Sequence, residues 1–173
     1  MRKLRRPAYR AFVIAHVASS VAWLGLSLSL LVLGVRALTT TDPAVQFAAG
    51  TAMDALASTI AIPIGAVAVA TGVVLMFGTR WGPSHKWVLV KLIATVAAFA
   101  ATVLALRPGL AATAATLDPD VLQTLDDQVI AGPIVSSSIY LGAIVLSYVK
   151  PWGRVGAARR APAPVRAPAR SAR

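Results

Sequence analysis

The chain has 173 residues, 57% of them hydrophobic and only 13% charged, about half the ~25% charge of an ordinary soluble domain. With a mean hydropathy of +0.73 it has too few polar groups to cover a water-facing surface, which excludes a soluble globular protein and implies lipid cover. There is no cysteine and the net charge is +11, so disulfides, thiolate metal sites and a cysteine nucleophile are excluded.

Four apolar runs, each near or beyond the roughly 20 residues that cross a bilayer core, follow one another. Residues 1–10 form a basic segment, MRKLRR followed by Arg10. The first run covers about 11–35. Its ~25 apolar residues exceed the ~7–15 of a signal peptide, and Arg36 follows it rather than a small-residue cleavage site, so it reads as a retained helix. The second run covers about 51–78 and contains Pro63, which should kink it and free a carbonyl. The third covers about 87–106, after a Gly82–Pro83 turn, with Ser84 placed to cap it. The fourth covers about 129–149. Between the last two, residues 108–128 hold an Ala-rich and an Asp-rich piece around Pro119, which read as short interfacial helices. Residues 151–173 are Ala, Pro and Arg and read as a disordered basic tail. The fold class is therefore all-α, a four-transmembrane-helix bundle over 11–150.

Charge sets the orientation. Arg2, Lys3, Arg5, Arg6 and Arg10 precede the first helix, and Arg80, Lys86 and Lys91 surround the second connection. Lys150, Arg154, Arg159, Arg160, Arg166, Arg170 and Arg173 follow the last helix. Only Arg36 and Arg107 remain for the other side, so the positive-inside rule places both termini in the cytoplasm of a multi-pass plasma-membrane protein. Asp42, Asp54, Asp118, Asp120, Asp126 and Asp127 all fall in or beside the two opposite segments. The basic clusters fit an anionic cytoplasmic leaflet and not a nucleic acid. A homo-oligomer or a membrane-protein partner stays open.

Close helix approach in lipid relies on small residues. Ala61/Gly65 and Ala68/Gly72 offer this on the second helix, and Gly132/Ser136 on the fourth. The third helix offers Ala94/Ala98, Ala97/Ala101 and Ala101/Ala105.

Polar groups inside a bilayer are expensive, so each is a candidate site. His16, Ser19, Ser20, Trp23 and Ser27 share one face of the first helix, a stripe that should face protein. Lys91 sits about one turn past Trp87 at a comparable depth, where it either snorkels to the interface or faces an anionic group inside the bundle. His85 precedes the third helix as an interfacial residue. His16, Thr71, Lys91 and Tyr140 could form one polar cluster. An imidazole in a four-helix bundle is also a plausible axial ligand for haem b, with a nearby cation meeting a propionate. Such a site would use His16, a second histidine only if His85 turned inward, and no other metal ligand. No P-loop, GxSxG or HExxH motif occurs, so no motif compels an enzymatic reaction.

The segment HVASSVAWLG (His16 to Gly25) and the stretch from Pro63 to Lys91, with its TG, WG and WxxxK landmarks, carry a resemblance. They resemble a family of uncharacterised predicted integral membrane proteins, a domain of unknown function frequent in actinobacteria. More distantly they are similar to the copper-resistance CopD membrane domain and the HemJ-type protoporphyrinogen oxidase. The resemblance covers about 11–150. It implies a haem role for His16, while Lys91 matches the lysine of the WxxxK landmark. The further histidines and arginines of the HemJ-type branch are missing from this chain. Three functions follow: an uncharacterised or accessory membrane protein, a haem- or metal-binding redox protein using His16, and a small-solute or metal permease.

Overall fold

Four helices, each long and apolar enough to cross a membrane, account for most of the chain. The computed structural model describes residues 4–79, 82 and 84–151. Arg2, Lys3, Arg80, Pro83 and the tail beyond Pro151, whose disorder was expected, lie outside the described residues. The described part is all helical except for its connections and an isolated bridge between Asp118 and Val121.

The first helix, Arg6–Thr39, starts with Pro7 in its first turn and ends with Arg36 in its last, where a cation suits the negative end of the helix dipole. The second begins eight residues earlier than hydropathy predicts. Asp42 accepts from Ala44 N at 2.9 Å and Pro43 occupies the first turn, a strong start signal. It then runs to Gly78. The third, Lys86–Thr116, is likewise longer than expected, and the fourth is Gln128–Val149. With 34, 36 and 31 residues, the first three measure about 46–54 Å, well beyond the ~30 Å of a bilayer core.

The second and third helices each pass through a proline. A proline ring clashes with the carbonyl four residues back and brings no N–H. In the second helix the π turn Ala57–Ala61 precedes Pro63, and in the third the π turn Thr102–Leu106 precedes Pro108. The wider turn accommodates the released carbonyl and the helix continues. The Ala-rich piece expected as a separate interfacial helix is therefore the last part of the third helix. The Asp-rich piece is a non-helical connection over 117–127. The third helix also starts differently: its N-cap is His85, without a side-chain cap bond, and not Ser84.

The helices pack as a square in chain order, the first and third each touching the second and fourth. Trp23, Leu30, Met53, Ala57, Ala61 and Tyr140 form the centre of the core. Side chains such as Ile14, Val21, Val32, Ile93, Leu104, Val135 and Val145 point outward, giving the bundle an apolar exterior. At the end carrying both termini, Leu4 N donates to Gly78 O at 3.2 Å, tying the chain start to the end of the second helix. At the far end buried Gln46 clamps the last connection. Its Nε2 donates to Gln123 O at 2.9 Å and Ala37 O at 3.2 Å, while Oε1 accepts from Gln123 N at 2.8 Å.

The small residues divide into two sets. Gly65 lets the Trp23 and Phe99 rings in, and Gly34 admits Ile130 and Met53. On the third helix Ala98 is buried, but Ala97, Ala101 and Ala105 are exposed and form no tight helix contact.

Candidate functional site

Ser19, Trp23 and Ser27 of the predicted stripe are buried, and His16 and Ser20 are half-buried. The stripe faces protein, as its spacing predicts. His16 Nδ1 lies 3.0 Å from Ala68 O and 3.1 Å from Thr71 Oγ1. The carbonyl can only accept, and the Thr71 hydroxyl donates its proton to Val67 O at 2.6 Å. Nδ1 is therefore the protonated nitrogen, and Nε2 has no partner among the described residues. Gly72 makes this seat possible, because a Cβ there would sit 3.1 Å from His16 Cε1.

Lys91 turns into the bundle rather than toward lipid. Its Nζ donates to Ser147 Oγ at 2.7 Å, three residues before Lys150 ends the fourth helix. It lines the same cavity as His16, a partly open space of about 200 Å³ between the first three helices, lined also by Val13, Gly72, Trp87 and Thr95. The cavity's other polar side chains include Thr79 and Thr95, and no carboxylate lines it. One member of the predicted cluster, Tyr140, and the interfacial candidate His85 are placed elsewhere. Tyr140 stacks on Trp23 with ring centroids 4.5 Å apart. His85 stays at the start of the third helix beside Ser84, at 3.4 Å, and does not line the cavity.

An aromatic layer crosses the bundle farther from the termini than His16 and Lys91. Trp23 meets Phe99 edge-on at 6.0 Å and Tyr140 at 4.5 Å, and Gly65 receives both the Trp23 and Phe99 rings. All four helices thus converge at one level, with His16 and Lys91 on the terminal side. Beyond this layer a wider groove of about 720 Å³ separates the third and fourth helices. Small residues such as Ala101, Ala105 and Gly132 line it, with Asp126 and Gln128 among its lining groups.

A haem held through His16 Nε2 would need room for its whole ring, and the cavity's ~200 Å³ falls below the ~300–1,000 Å³ of cofactor and drug-sized sites. Among the described residues no group of three or more His, Asp or Glu side chains gathers. The residues present do not fit a porphyrin in this arrangement.

A scan against protein-family models, a search of the curated proteins and a search of the solved structures each found no match. Sequence reasoning overlooked Gln46, which lay between the first two apolar runs. The Asp42–Pro43 start signal would have placed Gln46 on a helix.

Proposed function

We propose that the chain is a four-span integral membrane protein with both termini in the cytoplasm. In this reading it serves as an accessory membrane protein that binds a small ligand in the His16–Lys91 cavity. The apolar exterior of four long helices supports membrane placement. Basic residues crowd the terminal end, and all six Asp fall in or beside the far-end segments. One observation carries the binding role: an imidazole nitrogen and an ammonium without a carboxylate share one cavity of an apolar bundle. Their spare hydrogen-bonding capacity is suited to holding a ligand.

The native chain has no cysteine, so single cysteines report topology without background. With a membrane-impermeant maleimide on intact cells, Asp120→Cys is expected to label directly. Thr79→Cys is expected to label only after the membrane is opened. Equal labelling of both from outside would overturn the orientation.

A further inference from the structure

We propose that the cavity is an oxyanion site, in which Lys91 Nζ and His16 Nε2 hold a phosphate-type group. The group is either free phosphate or the headgroup of an anionic lipid. This rests on the membrane-bundle reading above and names the ligand class of that cavity.

Lys91 uses one of its three ammonium donors on Ser147 Oγ, leaving two without a partner among the described residues. An unpaired cation held inside an apolar bundle is strongly unfavourable, so the site calls for a negative charge. The protein does not supply one. Its six acidic residues are Asp42, Asp54, Asp118, Asp120, Asp126 and Asp127, and none lies on the terminal side of the Trp23–Phe99–Tyr140 layer. His16 adds a second polar contact, since Nδ1 is fixed by Ala68 O and Thr71 Oγ1 and only Nε2 is left to meet a ligand. Protonated, that nitrogen donates; neutral, it accepts from a singly protonated oxyanion. Size agrees with this class. A cavity of about 200 Å³ takes a headgroup-sized ion, each water occupying about 30 Å³. Arg6 and Arg10 on the first helix and Lys86 on the third stand at the terminal end, where their field concentrates anions.

The test uses the full chain in phosphatidylcholine nanodiscs, with unfolding temperature as the readout. One arm titrates inorganic phosphate against chloride at matched ionic strength. The other replaces part of the lipid with phosphatidic acid. The wild type is expected to melt several degrees higher, saturably, in at least one arm. A response to phosphate identifies a free ion, and a response to phosphatidic acid alone identifies a headgroup. Lys91→Met should weaken the response at least about tenfold, while melting no lower than the wild type without ligand because an unpaired charge has gone. Lys91→Arg should retain the response, which separates loss of charge from loss of fold. No response in either arm, or equal responses of wild type and Lys91→Met, would overturn the site. The cysteine labelling pattern would be unchanged by that failure, so the membrane reading is judged separately.

Discussion

At Gly65 a single hydrogen atom in place of a methyl decides whether four helices meet. A Cβ there would lie 2.7 Å from Phe99 Cδ2 and 2.8 Å from Trp23 Cζ2, two rings that cannot both retreat. Gly65→Ala should therefore destabilise the bundle by about 1–3 kcal/mol through overpacking. Gly25→Ala, with nothing within 4 Å of the new methyl, should stay within about ±0.5 kcal/mol. Thermal unfolding of the two variants in the same detergent checks the contrast. The His16 stripe was legible because a 3.6-residue period marks one face of any helix, and a polar face in an apolar helix must turn inward. The direction of Lys91 was not legible. A helix that is apolar all round does not encode its rotation, so only packing chooses between lipid and the fourth helix.

At the scale of elements, hydropathy located all four helices but misplaced their ends. Counting apolar residues began the second helix at Thr51, although Asp42 and Pro43 already held a start signal. The same count stopped the third near Leu106, yet the π turn over Thr102–Leu106 carries it past Pro108 to Thr116. Hydropathy cannot show such a turn. Several hydroxyl groups inside these helices remain compatible with apolar surroundings because they bond backward along their own helix. Ser19 reaches Ala15 O, Thr95 reaches Lys91 O and Thr102 reaches Ala98 O. Gln46 is different, since it joins two elements 77 residues apart in sequence. Gln46→Ala would leave the Gln123 backbone N–H and C=O without these partners, a loss of about 1–3 kcal/mol. Limited proteolysis should show faster cutting within residues 117–127, with the rest of the chain intact; unchanged cutting would mean that the clamp is not what holds this connection.

At the scale of the whole molecule, charge and apolar surface divide the work. Among the described residues the exterior is largely aliphatic, most basic side chains (Arg5, Arg6, Arg10, Lys86, Lys91 and Lys150) gather at one end, and the acids stand at or beside the other. This separation was fully readable in the sequence, because it depends on counts along the chain rather than on geometry. The cavity was not, because its shape arises where three helices splay around His16. In the membrane reading proposed above, the aromatic layer has a physical consequence for the bilayer. Trp23, Phe99 and Tyr140 pack together across the middle of the bundle, which in a bilayer would block water entering from the terminal end. Liposomes carrying the protein should therefore keep a potassium gradient as long as empty ones do, while Trp23→Ala paired with Phe99→Ala should let it run down. The molecule, in electrical terms, is an insulator with a charged pit in one face.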